Sequence, residues 1–252
     1  MRPHMVCLGG SIPTTSTNFP IPIPNDTLLT TTLGGLFGGF SLRALLGYVR
    51  GVNVTAARLN SPNLRAVGPP QLWPIDTAAS PPNLPPLIRY RACGPVIPPF
   101  DPFVVEVTTA VAVAADAQAV FLFGDKVPEP DTRPSRTILA NATITQVNNV
   151  WVAGQMTLPQ TLPAGRYAIV GLAVFGAGLL AARLIFPTQM ERPGVLAQQL
   201  FSEYDDSDYR YGQFGVIGEF TNIQLPALEV FGFAAGAAQT IYLDIVQLSQ
   251  SF

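Results

Sequence analysis

Short apolar segments separated by turn residues dominate the chain from Phe103 onward. The odd positions from 103 to 113 and the even positions from 138 to 144 are apolar or β-branched. Alternation with a period of two is typical of a strand that buries one face. Gly, Pro, Asn and Asp, which favour turns, stand between the segments. The pattern predicts nine strands, at residues 103–114, 119–123, 137–146, 150–158, 166–174, 179–186, 213–220, 227–233 and 240–248.

Eight or nine strands at this spacing predict an all-β protein. The count favours a single jelly-roll-like antiparallel β-sandwich over residues 101–252, because a jelly roll arranges eight strands in two sheets. We find no internal repeat at a fixed period in the sequence. One sandwich domain is therefore expected.

The first hundred residues have a different texture, with dense proline runs at 19–24, 68–70, 81–86 and 98–102. Proline lacks an amide donor and is excluded from long helices and central strands, so these runs predict an extended N-terminal arm over residues 1–100. Between them, apolar spacings of three and four predict one short helix near residues 41–50. The sixteen strands of a double jelly roll are not expected to fit behind this proline-rich region.

Composition indicates that much of the surface is covered by other molecules. Hydrophobic residues make up 48% of the chain and charged residues only 12%, against about 25% charged in an ordinary soluble domain. The uncharged stretch 167–182 is shorter than the ~20 residues that a spanning helix needs, and Phe175-Gly176-Ala177-Gly178 predicts a turn between two strands. No transmembrane segment is expected, and self-assembly is the preferred explanation.

The charge pattern does not favour nucleic-acid binding. The net charge is −2, and the arginines are scattered without a basic tail. No sequence-specific nucleic-acid binding is expected. Cys7 and Cys93 form no CxxC motif, and whether they pair is left open.

The chain is poor in the residues on which enzymes usually depend. His4 is the only histidine and Lys126 the only lysine, and His4 is expected to lie in a frayed N-terminus. Triads, histidine-rich zinc sites and Schiff bases need such residues. We expect no enzyme activity, and neither a catalytic, a cofactor-binding nor a metal site.

Three patterns remain as weaker alternatives. Residues 176–181 fit the relaxed dinucleotide motif G-x-G-x-x-A, but Pro187 would end the required helix after about two turns. The acidic loop 203–208 has four carboxylates suited to calcium, although a solvated or contacting loop explains it as well. Glu106, Glu219 and Glu229 lie on predicted strands, where carboxylates more often face solvent than form a catalytic pair.

The segments TLPAGRY (161–167), ARLIFP (182–187) and ERPG (191–194) have a turn-strand-turn texture that resembles viral coat proteins of the jelly-roll type. The resemblance covers about residues 100–252. It implies a self-assembling capsid subunit without an active site, located in the virion and assembled in the host cytoplasm. Its partners would be copies of itself and other virion structural proteins.

Three segments are the expected contacts in such a shell. They are the arm around residues 19–24, the segment 69–86 with Trp73, and the tyrosine-rich loop 204–211. An arm can cover the exposed sheet edge of a neighbour.

The alternative function is a carbohydrate- or surface-binding β-sandwich module. Whether its binding would depend on calcium is left open. It would present Trp73, Trp151 and the tyrosines of the 204–211 loop on an exposed face.

Overall fold

A computed structural model describes residues 3–13, 17–23, 26, 39–63, 71–72, 75–77, 88–89, 94–110, 115–187, 189–198, 210 and 212–250. Every named element within them is a strand, so the predicted all-β class is confirmed. The chain divides into two compact units. The N-terminal unit comprises Val6–Asp125, and the C-terminal unit comprises Lys126–Phe252 together with Met1–Met5.

The N-terminal unit and the residues that lead into it contain the first ten strands. They are β1 (Pro3–Ile12), β2 (Phe19–Pro20), β3 (Leu42–Gly51), β4 (Val54–Asn60), β5 (Gln71–Leu72), β6 (Ile75–Asp76), β7 (Ile88–Arg89), β8 (Val96–Ile97), β9 (Val104–Thr109) and β10 (Ala115–Gly124).

Two sheets form the N-terminal unit. The first has the order β1-β10-β3-β6, with β7 and β8 also pairing with β3, and the second has the order β2-β9-β4-β5. Side chains of both sheets, among them Leu42 and Phe121 from the first and Leu59 and Val105 from the second, share one hydrophobic core. Burial of such apolar surface contributes about 25 cal/mol per Å², and this core holds the two sheets together.

The C-terminal unit contains the other eight strands. They are β11 (Arg136–Thr143), β12 (Trp151–Gln155), β13 (Gly165–Phe175), β14 (Leu179–Ile185), β15 (Gly194–Leu196), β16 (Gly218–Thr221), β17 (Ala227–Gly232) and β18 (Ala238–Gln250).

These eight strands form two four-stranded sheets, β11-β18-β13-β16 and β12-β17-β14-β15, and every ladder between them is antiparallel. Central strands β13 and β14 are buried along most of their length. Strand β16 lies at the edge of the first sheet, where it pairs only with β13 among the described strands. This edge position leaves one side of β16 available to form a surface site.

Each predicted strand from residue 103 onward overlaps one of β9–β14 and β16–β18, although the predicted strand 213–220 shares only residues 218–220 with β16. The three-residue strand β15 was not predicted. The turn between two strands at residues 176–178 is confirmed, since β13 ends at Phe175 and β14 begins at Leu179.

The predictions for the first hundred residues need correction. The prediction of a short helix near residues 41–50 is wrong, because β3 occupies this range as a central strand. The extended arm is also wrong for β1, β3 and β4, which pair within the two sheets, and β1 and β3 are largely buried. The division between compact units falls after Asp125 instead of after residue 100. The chain therefore has two β-rich units where one sandwich with an arm was expected.

Candidate interaction surfaces

Two adjoining clefts lie beside the edge strand β16. One is about 230 Å³ and the other about 220 Å³, and Gln189 and Glu219 line both. We call the pair the β16 groove. Its walls include Arg166, Phe186, Gln189, Val216, Glu219 and Gln224.

Gly218 determines how one wall of the groove is packed. A Cβ atom on Gly218 would collide with the ring of Phe186, so the glycine lets that ring pack directly against the β16 backbone. Next to it, Phe220 stacks on Tyr167 with the ring centroids 5.5 Å apart. The Tyr167 hydroxyl donates to the Pro163 carbonyl at 2.7 Å. These contacts give the groove a rigid floor.

The groove contains an ion pair, and two exposed apolar side chains lie next to its lining residues in the sequence. The Arg166 guanidinium donates to the Glu219 carboxylate at 2.5 Å, and both side chains are substantially exposed. Ile223 is 89% exposed in the turn between the lining residues Thr221 and Gln224, and Met190 is 62% exposed beside Gln189. Single exposed apolar side chains are normal on a protein surface, and these two are notable because they are largely uncovered.

A second exposed apolar surface lies on the N-terminal unit. Phe100 is 69% exposed, and Phe40 and Val96 are also exposed. Phe100 has a φ of 64°, in the left-handed region that bulky residues rarely adopt. Its ring lies about 4 Å from the Cβ position of Gly39, which itself has a φ of 76°. We call the three exposed side chains of Phe40, Val96 and Phe100 the Phe100 knob.

The three strand glutamates considered as catalytic candidates each bind an arginine on a neighbouring strand. Glu106 accepts from Arg58 and from Asn60, and Glu229 accepts from Arg183. Glu219 is bound to Arg166, as described above. Each carboxylate therefore neutralises a cross-strand arginine, an arrangement that stabilises sheets.

Two arginines of the C-terminal unit are buried. The Arg183 guanidinium lies 4.0 Å from the centroid of the Trp151 ring and also donates to the Met5 carbonyl. Arg210 donates through Nε and Nη2 to the two carboxylate oxygens of Asp244. Burial of both partners makes these pairs structural.

The ion pair between Arg133 and Asp131 shifts the pKa of both groups. The Arg133 guanidinium donates to the Asp131 carboxylate, with the shortest bond at 2.6 Å. This hydrogen bond holds the pKa of Asp131 below its usual value and raises the pKa of Arg133. The pair lies in the irregular segment before β11, where it fastens the chain locally.

The dinucleotide interpretation of residues 176–181 is wrong, since Leu179 begins strand β14 and no helix follows the glycines. His4 is also buried in β1, where it forms a parallel bridge with Arg192, so the expected frayed N-terminus is wrong.

The predicted contact segments are only partly described. Residues 19–23 are held within their own chain, because Phe19 and Pro20 pair with β9 and the Ile21 amide donates to the Val105 carbonyl. Trp73, most of segment 69–86, Cys93, the acidic loop 203–208 and the tyrosines at 204, 209 and 211 lie outside the described residues. Trp151, proposed as an exposed sugar platform, is buried.

Sequence reasoning missed both the β16 groove and the Phe100 knob. The sequence signals for these surfaces were weak. They were the two prolines before Phe100 and the Asn-Ile pair at 222–223. Neither reveals on its own which apolar side chains will stay outside the core.

In the described part of the chain, no cluster of three His, Cys, Asp or Glu residues has the geometry to hold a metal ion. No helix in that part is both long enough and apolar enough to cross a membrane.

No protein-family model, curated protein or solved structure matches the chain. The surfaces described above are therefore interpreted from their own geometry.

Proposed function

We propose that both units are jelly rolls and that the protein is a structural, self-assembling subunit of a virion capsid. The observation that carries this proposal is the strand order. In a jelly roll, an eight-stranded ribbon is folded in half, so that the first strand pairs with the last and the fourth with the fifth. Rolling the ribbon up then brings the last strand beside the third and the seventh beside the fourth.

The C-terminal unit has each of these pairings. Its ladders are β11·β18, β12·β17, β13·β16 and β14·β15 for the ribbon, with β13·β18 and β14·β17 for the rolling. Six ladders in the required order support the jelly-roll interpretation far more strongly than strand count alone.

The N-terminal unit supports the same plan a second time. Its sheets β1-β10-β3-β6 and β2-β9-β4-β5 place its first, last, third and sixth strands in one sheet and its second, ninth, fourth and fifth strands in the other. The departure from the plan is at β6, which runs parallel to β3, while β7 and β8 pair with β3 in the antiparallel sense. Two jelly rolls in one chain would give each subunit two similar building blocks of a shell.

The fold alone does not choose between a capsid and a lectin, because jelly rolls occur in both. Surface chemistry favours a shell. The chain has only 12% charged residues, and Phe100, Met190 and Ile223 are well exposed apolar side chains. Of the aromatic residues expected on a sugar-binding face, Trp151 lies beneath Arg183, and the others lie outside the described residues. We place the protein in the virion, after assembly in the host cytoplasm, with copies of itself and other virion proteins as partners.

Light scattering and negative-stain imaging of the purified full chain test this proposal. We expect rings or closed particles far larger than one 26.9 kDa chain. Because the exposed contacts are mainly apolar, raising the salt concentration should preserve or promote assembly. A chain that stays monomeric across the accessible concentration range would contradict the proposal.

A further inference from the structure

His4 is the only histidine of the chain, and it is 1% exposed at the start of β1, in the part of that strand that belongs to the C-terminal unit. It forms a parallel bridge with Arg192. The neighbouring Met5 amide donates to the Arg192 carbonyl at 2.8 Å, and the Met5 carbonyl accepts from the Arg183 guanidinium at 3.3 Å. These bonds fasten residues 3–5, which we call the N-terminal anchor, beside the segment that leads into β15.

The position of the imidazole makes the charge of His4 important. Histidine is the side chain whose charge ordinarily changes between pH 5 and 8. Both ring nitrogens of His4 are buried. A buried position opposes the charged form, because the protein interior solvates an ion less well than water does. Protonation of His4 would therefore put a cation where the fold has excluded water.

Two arginines beside the N-terminal anchor add to this cost. Arg183 is 3% exposed, and it is held by Glu229 at 2.6 Å. Arg192 donates to the neutral backbone carbonyls of Gln189 and Glu191. A nearby positive charge disfavours the charged form of a histidine. The segments packed against the anchor thus already contain two cations.

The carboxylates near the anchor lie on its other face. Glu191 and Glu219 line the cleft that Pro3 also lines. Successive side chains of a strand project to opposite faces, so Pro3 and His4 are expected on opposite sides of β1. Glu219 is also bound to Arg166. We therefore expect neither carboxylate to stabilise a charged His4 ring.

We propose that His4 makes the N-terminal anchor acid-sensitive, so that protonation of its ring releases residues 3–5 from the C-terminal unit. A histidine in a released or unfolded segment binds a proton with a pKa near 6.5, whereas the anchored ring stays neutral. The released state then binds more protons than the anchored state. The anchor is consequently stable above about pH 6.5 and weakens as the pH falls through that value. This device acts within a single copy and does not depend on self-assembly.

Chemical denaturation of the full chain between pH 7.5 and 5.5 tests the proposal. The unfolding equilibrium constant of the wild type should rise about tenfold over this range, because the unfolded chain takes up one more proton. His4→Gln should remove most of this rise, and His4→Phe is a second neutral variant that keeps a ring. The pH slopes are compared, so a variant of lower stability still reports.

An added histidine serves as the control. Val147 is 50% exposed, so a histidine at this position should titrate alike in the folded and unfolded chain. Val147→His in the His4→Gln background should therefore not restore the pH dependence. Equal pH slopes in the wild type and His4→Gln would overturn the proposal. A wild type that gains stability in acid would also overturn it, because a carboxylate would then stabilise the charged ring.

Hydrogen exchange shows whether the anchor opens by itself. The Met5 amide, which bonds Arg192, should exchange faster than the Ile144 amide, which bonds the Ala237 carbonyl in the same unit. After correction for the intrinsic exchange rate, Met5 protection should fall toward pH 5.5 in the wild type but not in His4→Gln. Equal protection of the two amides at every pH would overturn local release, since the anchor would then open only with the whole unit.

Discussion

Asp244 is 1% exposed, and Arg210 and Thr137 donate hydrogen bonds to its carboxylate. Arg210 donates to both of its oxygens, and the Thr137 hydroxyl donates to one. A buried charge that loses its partner is strongly destabilising, because the desolvated carboxylate remains without compensation. The pair also fixes the position of Arg210 in the chain that leads to β16.

Replacing Arg210 with Met should therefore lower the free energy of unfolding by about 3 kcal/mol. Chemical denaturation followed by fluorescence measures the change. The matched control is Arg133→Met, which breaks an exposed ion pair and should cost less than about 1 kcal/mol. Equal losses in the two variants would show that Asp244 is not held by Arg210 in the folded protein.

Asp131 provides a prediction about pH. The hydrogen bond from Arg133 lowers the pKa of its carboxyl group in the folded protein. Since the folded pKa is depressed, the pair stabilises the fold above the ordinary aspartate pKa of about 3.9, and this stabilisation is lost as the pH falls through the lowered pKa.

An NMR titration of the Asp131 carboxyl carbon should give a pKa below that ordinary value, and Arg133→Gln should raise it. Lys126→Gln is the control, because Lys126 binds Glu129 and should affect Asp131 much less. An unchanged Asp131 pKa in Arg133→Gln would contradict this assignment.

At the scale of strands, the two units use glycine in the same way. In the N-terminal unit, Gly47 on β3 lies opposite Phe121 on β10, and in the C-terminal unit Gly171 on β13 lies opposite Asp244 on β18. In both pairs, a Cβ atom on the glycine would collide with the opposite side chain. The missing side chain gives the larger residue its space on the central ladder.

Gly47→Val should consequently overpack the ladder and lower the free energy of unfolding by about 1–3 kcal/mol. Adding Phe121→Leu should restore part of the loss, because the smaller side chain makes room for the new one. A double-mutant cycle in denaturant measures this coupling. Additive effects of the two substitutions would show that the side chains do not compete for one space.

The sequence predicted strands well where buried and exposed positions alternate, and it failed at β3, which is covered on both faces. Strands β9 and β11 alternate between buried and more exposed positions, so their period of two is visible. Strand β3 is buried along nearly its whole length, with Arg43 donating to the Gly94 carbonyl and Arg50 to Gln118. A strand covered on both faces loses its alternation, and its apolar spacing then resembles that of a helix.

The candidate surfaces were harder to predict, because both depend on contacts between residues far apart in sequence. The β16 groove needs Gly218 to lie beneath Phe186, and the Phe100 knob needs a turn that points an aromatic residue outward. Local patterns show only that Phe100 and Ile223 are apolar, and apolar residues are normally assigned to a core.

At the scale of the whole chain, strand β1 changes how the N-terminus is understood. Its first residues belong to the C-terminal unit, where the Met5 amide donates to the Arg192 carbonyl and Arg183 donates to the Met5 carbonyl. From Val6 onward it belongs to the N-terminal unit and pairs with β10. The N-terminus is therefore a structural strand in both units, which is incompatible with a detachable arm.

Deleting residues 1–32 makes this difference measurable. If these residues were an arm, the truncated chain would stay folded and only lose assembly. Because the deletion removes β1 and β2, with Met5, Leu8, Ile12 and Ile21 all buried, we expect loss of cooperative unfolding and of near-ultraviolet circular dichroism as well. Loss of two strands with these buried side chains is large relative to the marginal stability of a typical domain, about 5–15 kcal/mol. A truncated protein that unfolds cooperatively at the wild-type midpoint would instead favour the arm.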